Sequence, residues 1–452
     1  MTNYPKACIA GAGSSGLTTA KALKERGIPF DCFEMSDNIG GNWYFNNPNR
    51  RSSAYELLHI DTSKSRMQFS DFPMPEEYPN FAHHSQVFAY FNAYCDHFGL
   101  RDRITFNTEV KHAIRDDQGL WQVELGNGET RAYDAFFVCN GHHWDPRMPE
   151  PAFPGHFDGE QLHSHHYKSA APYRGKRVLV LGMGNSAMDI SVETSYVAEK
   201  VFLAARRGAY VIPKYLFGKP IDTWVMPVFP YWINRIILGF MLRLQVGRPE
   251  DYGLQTPDHK LLEAHPSMSS TLLDRLAHGE VTPKPNIAEL QGDSVKFVDG
   301  SVEKVDTIIY STGYKVSFPF FDTTFIAAED NDLPLYLRMM KPGLENLFFI
   351  GLYQPLGAIF PIAEVQAGIA ADYLRGDYAL PTAQEMEAQI EKERAAMFKR
   401  YVKSKRHTMQ VDFDPFMVQL RREHLRGKDR ARASGNRLPV AARSGSLAPA
   451  AR

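Results

Sequence analysis

Two glycine turns, each held between a strand and a helix, constrain this chain more than any other feature. Residues 6–10, KACIA, read as a short buried strand. GAGSSG follows, with Gly11, Gly13 and Gly16, then a helix to about Arg26 and a second strand, Phe30–Glu34. In such a unit Gly11 permits the tight turn, Gly13 lets the backbone approach a pyrophosphate, and Gly16 allows close helix–strand packing. The free N–H groups and positive dipole end of the helix face the phosphates. Glu34, at the tip of the second strand, can accept hydrogen bonds from both ribose hydroxyls and would repel a 2′-phosphate. This first unit therefore suits FAD or NAD.

The second unit opens at RVLVL (Arg177–Leu181) and turns at Gly182-Met183-Gly184-Asn185-Ser186-Ala187. Its next strand, Val201–Gly208, ends in Arg206 and Arg207 where the first unit has an acid. Arginine at that position can pair bidentately with a phosphate, the means of selecting a 2′-phosphate. The plainer alternative is a pair of solvated strand-end charges. Phosphate selection assigns NADPH to the second unit and FAD to the first. Residues 157–176 are polar and histidine-rich, and read as a connection entering the second domain.

Three further buried strands end in polar or glycine turns: Tyr133–Gly141 (reaching Asn140), Val305–Tyr314 (reaching Thr312 and Gly313), and Asn346–Gly357 (containing Gly351). A helix is expected from about Ala363 to Leu374. These elements return the chain to the first domain, so the second is an insertion. The expected fold is α/β, with two dinucleotide-binding, Rossmann-like domains, the NADPH domain inserted into the FAD domain. The boundaries are 1–160 (FAD, first part), 161–304 (NADPH, with a helical excursion), 305–425 (FAD, second part) and 426–452, a disordered tail. The loop Gly41-Asn42-Trp43 is placed to line the first ligand, although an ordinary turn with a packed tryptophan reads as well. Residues 59–72 read as a loop and 85–97 as an amphipathic helix.

Bulk properties narrow the function. A formal net charge of −1 implies no basic field for nucleic acid. Cys8, Cys32, Cys95 and Cys139 are scattered, with no Cys-x-x-Cys pair, which removes dithiol chemistry and fits a reducing, cytoplasmic compartment. The first strand begins too early to leave room for a secretory signal. Residues 223–245 are apolar and aromatic but interrupted by Pro227, Pro230, Asn234, Arg235 and Arg243, so no transmembrane segment is expected. A buried or interfacial helix, or a homodimer contact, is the reading. His163, His165 and His166 form no ligand pattern with Asp158 and Glu160, and no metal is expected.

With GAGSSG, Glu34, GGNW, GMGNSA and STGY in one order, the chain resembles the class B flavin-containing monooxygenases, a dimethylaniline-monooxygenase-like family. That family's FxGxxxHxxx(Y/F) signature reads here as Phe157, Gly159, His163 and Tyr167. Similar stretches are FSDFPMP (69–75), HFGL (97–100), KPNI (284–287), GLYQPLG (351–357) and EVQA (364–367), and the resemblance spans roughly 4–425. It implies FAD on Gly11, Gly13, Gly16 and Glu34, lined by Gly41, Asn42 and Trp43, with Gln354 and Pro355 near the flavin. It implies NADPH on Gly182, Gly184, Asn185, Ser186 and Arg206. His163 and Tyr167 would order the two domains rather than perform chemistry.

The resemblance further implies oxygenation of a soft nucleophile, a small amine or sulfide, by O2 through a C4a-hydroperoxyflavin, with the cofactor supplying reactivity and the protein orientation and a dry pocket. Two positions depart from the pattern and become the candidate catalytic residues. Asp61 stands where animal members carry asparagine, and an ionised carboxylate cannot donate as an amide does. Asn140 stands where threonine is commoner and could compensate. The competing functions are Baeyer–Villiger oxygenation of a ketone, which Tyr167 in place of tryptophan disfavours, and a largely uncoupled NADPH oxidase, to which Asp61 gives weight. A non-catalytic nucleotide-binding protein is the reading from another class.

Overall fold

The computed structural model describes residues 4–434, apart from 225–228, 230, 265–266 and 401–406. Two parallel sheets organise them. The first begins with β1 (Ala7–Ala10), β2 (Phe30–Phe33), β3 (Ile104–Thr105) and β4 (Ala135–Val138). The chain then builds a separate sheet from β5 (Glu160–His163), β6 (Arg177–Leu181), β7 (Lys200–Ala204), β8 (Val281–Lys284) and β9 (Thr307–Tyr310), in the order β5-β9-β6-β7-β8. It returns with β10 (Met340–Lys341) and β11 (Leu344–Phe349), completing a first sheet ordered β10-β11-β4-β1-β2-β3. Every pairing is parallel except β10 with β11. The fold is α/β, with one parallel-sheet domain inserted into another.

The composition of these strands explains their place. ACIA of β1, AFFV of β4 and TIIY of β9 are buried at all four residues, as strands covered on both faces must be. Helix α1 (Ser14–Glu25) follows the first glycine turn, and α2 (His84–His97) starts at a capping box in which the His83 side chain accepts from the backbone while Gln86 answers the His83 N–H. Helix α3 (Asn185–Ser195) follows the second glycine turn, and α4 (Tyr231–Gln245) lies in the excursion between β7 and β8. Helix α5 (Phe360–Arg375) packs along α1, and α6 (Phe413–Ser434) closes over α5.

The chain crosses between the domains twice, and the crossings are stitched together. Asp145–Pro146 on the way out pairs antiparallel with Tyr314–Lys315 on the way back. Arg147 N–H donates to Gly313 C=O at 2.9 Å, and the Thr312 hydroxyl donates to Arg147 C=O.

Three sequence expectations are corrected. The strand at 305–314 belongs to the second sheet, between β5 and β6, so the boundary expected at 304/305 falls too early. The strand is the counterpart of β4, as its similar terminal turn suggested, but each glycine turn has its own. Residues 426–434, expected to open a disordered tail, continue helix α6, while 435–452 lie outside the described residues. The loop at 59–72 contains one helical turn, Lys64–Met67, in which Arg66 and Met67 N–H donate to Ser63 C=O and Lys64 N–H donates to Asn80 C=O. The apolar stretch 223–245 yields α4, and no helix among the described residues is long and apolar enough to cross a membrane.

Candidate dinucleotide sites and their boundary

The two glycine turns are built alike. Gly11 has φ +105°, and a Cβ there would lie 2.6 Å from the carbonyl oxygen of Cys139, just after β4. Gly182 has φ +145°, and its Cβ would lie 2.5 Å from the carbonyl oxygen of Ser311, just after β9. Only glycine admits that backbone at that distance. The N-cap positions are Gly13 and Gly184, and neither offers a side chain to the first turn of its helix. Each helix therefore keeps backbone donors and a positive dipole end for an anion, which fits a bound pyrophosphate.

In the first unit Gly16 faces Gly11 C=O so closely that no side chain could intervene, and Gly13 and Gly41 approach through bare backbone. Glu34 is buried. Its Oε2 accepts from Ala12 N–H at 2.7 Å and its Oε1 from Ser36 N–H at 2.9 Å. Burial raises its pKa, while these backbone donors oppose the rise. The carboxylate thus shapes the glycine turn itself, with lone pairs left to accept from a ribose. Asn42 turns its Oδ1 to the Ser53 N–H and hydroxyl, and Trp43 packs edge-on against Phe360 at the start of α5. Gly351 approaches Ser15 on α1, and Gln354 and Pro355 pair with Gln410 and Val411.

Gln366 is a residue the sequence did not single out for a role. It is fully buried on α5; its Oε1 accepts from Gly351 N–H at 3.1 Å and its Nε2 donates to Leu337 C=O at 2.9 Å. Its amide fixes the turn after β11 beside the first glycine turn. The EVQA run was visible as a resemblance, but no spacing rule connects it to Gly351.

In the second unit Arg206 and Arg207 are exposed, and Arg207 is ion-paired with Asp258 at 3.3 Å. Asn185 and Ser186 open α3. Thr312 and Gly313 bind the outgoing crossing strand, so their visible role is to fasten the two crossings. Asn140 donates from Nδ2 to Ser317 C=O at 3.0 Å, fastening the end of β4 to the returning chain. The histidines of the joint are likewise structural: His163 accepts at Nδ1 from His165 N–H at 3.1 Å, and His165 Nε2 meets Arg50 C=O at 2.9 Å. Burial, aided by His165, brings the His163 imidazole down to about 4, so it is neutral at physiological pH. Tyr167 is fully buried and stacks on Tyr173.

Asp61 and Asn185, read separately from sequence, meet across the domain boundary. Asn185 Nδ2 donates to Asp61 Oδ2 at 2.5 Å, and Lys214 Nζ stands 3.2 Å from Asp61 Oδ1. Asn185 Oδ1 accepts from Met268 N–H at 2.9 Å, so both ends of its amide are engaged.

A family model for flavin-binding monooxygenase-like proteins matches residues 5–425. The chain belongs to this family. Among curated members, it is 40% identical to flavin-containing monooxygenase 5 of Rattus norvegicus over 434 residues, covering 91% of this chain and 81% of the relative. It is 37% identical to dimethylaniline monooxygenase [N-oxide-forming] 2 of the same species over 437 residues, covering 92% and 82%. Solved structures share the fold. An S-allyl-L-cysteine S-oxygenase from Allium sativum superposes with a TM-score of 0.69 at 24% identity, over 97% of this chain and 95% of that one. An open crystal structure of cyclohexanone monooxygenase gives 0.71 at 18% identity, over 95% and 98%. This member of the flavin-binding monooxygenase-like family is accordingly a flavin-dependent monooxygenase.

Proposed function

We propose that the enzyme uses FAD and NADPH to oxygenate a soft nucleophilic nitrogen or sulfur of a small amine or sulfide. The observation that carries this is the pair of uncapped glycine-turn helices, one per domain, with the start of α3 tied back to the first domain through Asn185 and Asp61. A relative named for N-oxide formation and a fold neighbour named as an S-oxygenase support the substrate class. Solved complexes of the same fold with FAD and NADP, at 19% identity and a TM-score of 0.71, support the cofactors.

The chain's own residues bind and orient. The N-terminus of α1, Gly13 and Gly41 would receive the FAD pyrophosphate, and Glu34 would accept from its ribose while holding the Ala12 and Ser36 N–H groups. The N-terminus of α3, with Gly184 and Ser186, would receive the second dinucleotide, and Arg206 its 2′-phosphate. Bound, these cofactors supply the electrons and the activation of oxygen. The absence of a protein acid–base dyad from the assigned residues fits that division of labour. Asn140, Thr312 and Asn185, each bonded to another segment of the chain, would hold the frame around the cofactors.

Product analysis tests the reading. The FAD-loaded enzyme, given NADPH, 18O2 and in turn a tertiary amine, a thioether and a cyclic ketone, is expected to place one labelled oxygen on nitrogen or sulfur. Lactone as the main product, or peroxide formed one-for-one with NADPH whatever is added, would overturn it. The four buried, unpaired thiols support a reducing, cytoplasmic compartment. On α4, Trp232, Ile236, Phe240 and Leu244 recur at four-residue spacing and are 58%, 59%, 64% and 65% exposed. This stripe supports a contact between two copies of the chain, to be checked by the mass in solution of the enzyme and of Phe240→Ser.

A further inference from the structure

Helix α3 carries Asn185, Asp189 and Glu193 at four-residue spacing, on one stripe of its surface. Each is taken by a residue from outside the helix. Asn185 donates to Asp61; the Tyr55 hydroxyl donates to Asp189 at 2.5 Å; the Tyr167 hydroxyl donates to Glu193 at 2.7 Å. Tyr55 and Asp61 lie in the segment before α2, yet Tyr55 buries itself in the second domain's core beside Tyr167, the rings edge to face at 6.0 Å. Lys214 reaches back from the second domain. Besides Asp61, its Nζ donates to Ile60 C=O at 3.0 Å and lies 5.3 Å from the centre of the Phe81 ring.

We propose that these groups form an electrostatic clasp across the two domains, in which Lys214 is a positioning residue. By keeping Asp61 paired, it holds Asn185, and with it the second glycine turn, against the first domain.

The charges explain why a cation is needed. Asp61 faces Lys214, Asn185, His59 and Asp189; Asp189 faces Tyr55, Asp61 and Lys214; Glu193 faces Tyr167, Asp189 and Glu56. Asp61 and Asp189 thus share one ammonium, and Glu193 lies beside Asp189 without a cation of its own among these groups. Removing one partner of a desolvated pair leaves the other uncompensated, a larger loss than the pair's own net worth. An asparagine at 61 would need no such cation, so Lys214 and Asp61 act as one unit. Desolvation, with repulsion from Asp61, brings Asp189 up to about 7, and desolvation brings Glu193 to about 7 against the Tyr167 hydroxyl. Above that pH Asp189 and Glu193 are both ionised and the clasp loosens.

The test reads the boundary directly, on the full-length FAD-loaded chain without NADPH. In Lys214→Met, backbone amide exchange in peptides spanning 55–63 and 183–189 is expected to quicken by about tenfold or more, as local opening becomes easier. NADP+ is expected to bind about tenfold more weakly. Lys214→Arg should restore both, and Asp61→Asn combined with Lys214→Met should be less perturbed than Lys214→Met alone. Unchanged exchange, or effects of the two substitutions that simply add, would overturn the clasp. Should Lys214→Met not fold, Asp189→Asn together with Glu193→Gln decides: the pair is expected to abolish the fall in protection of these peptides between pH 6 and 8, measured relative to the intrinsic base-catalysed rate, and persistence of that fall refutes the proposal. None of these readouts requires turnover, so the clasp can fail while the oxygenase reading stands, and the reverse.

Discussion

At the scale of single residues, Glu34 shows how far a motif can be followed. Its position after the glycine turn was legible, because acid, strand and helix recur at fixed offsets. That its two oxygens also fasten Ala12 and Ser36 was not, since a backbone N–H leaves no mark in sequence. Gln366 was hidden for the same reason: its partners, Gly351 and Leu337, are 15 and 29 residues away and both are main chain. Gln366→Ala would strand a buried N–H and a buried C=O, and is expected to cost about 1–3 kcal/mol for each. Urea unfolding of the FAD-free and FAD-loaded enzyme measures the loss, which should be accompanied by faster flavin release. Arg206 carries a different kind of prediction. Exposed at the end of β7, it contributes little to the core, so Arg206→Gln should leave the melting temperature within a degree or so. NADPH KM is expected to rise about tenfold with kcat retained, and the preference over NADH to shrink in steady-state kinetics.

Among the elements, the C-terminal helix was the one most misread. Its Arg- and Ala-rich composition without an apolar period, and a glycine at 427, signal disorder by themselves. What composition cannot show is that Gly427 is where helix and core touch: a Cβ there would come 1.9 Å from the Tyr378 ring. Around that contact Gly427 C=O accepts from Ala379 N–H at 3.0 Å, Arg430 donates to Ala379 C=O at 3.0 Å, and Lys428 stands 3.1 Å from Asp372. His424 joins Asp372 at 2.6 Å, and Arg26 of α1 meets the same carboxylate. Burial alone would raise the Asp372 pKa, but the hydrogen bonds from His424, Arg26 and Lys428 together hold it far below the usual carboxylate range. Gly427→Ala is therefore expected to destabilise by about 1–3 kcal/mol, the usual cost of overfilling a packed contact, although alanine is the better helix former. Differential scanning calorimetry would show it, and a gain in stability would contradict the packing described. Two other helices, by contrast, were legible within a few residues: α2 and α5 were expected at 85–97 and 363–374 and are His84–His97 and Phe360–Arg375.

For the whole molecule, two domains and the insertion were legible because a glycine turn with its flanking strand and helix is a local signal, and there are two. The assignment of β9 was not, since a buried TIIY run suits either sheet and only the crossover decides. The carboxyls at the domain boundary have a global consequence as well. Asp189 and Glu193, both near 7 when folded, keep protons that the unfolded chain releases above about 4. The folded state binds more protons in that window, so these groups make stability fall as pH rises from about 4 to 7, with no further loss above. Asp372 works in the opposite direction: its contribution is complete above about pH 4 and is lost as the medium becomes more acidic. Thermal denaturation from pH 5 to 8 is expected to show a declining Tm, and Asp189→Asn together with Glu193→Gln to flatten it. A further consequence comes from the two crossings. A domain entered at Asp145 and left at Lys315, across one short antiparallel ladder, has its ends side by side. Such a domain is a cassette: recombination between homologous genes at those two positions would exchange one cofactor module whole, sparing every strand of the other.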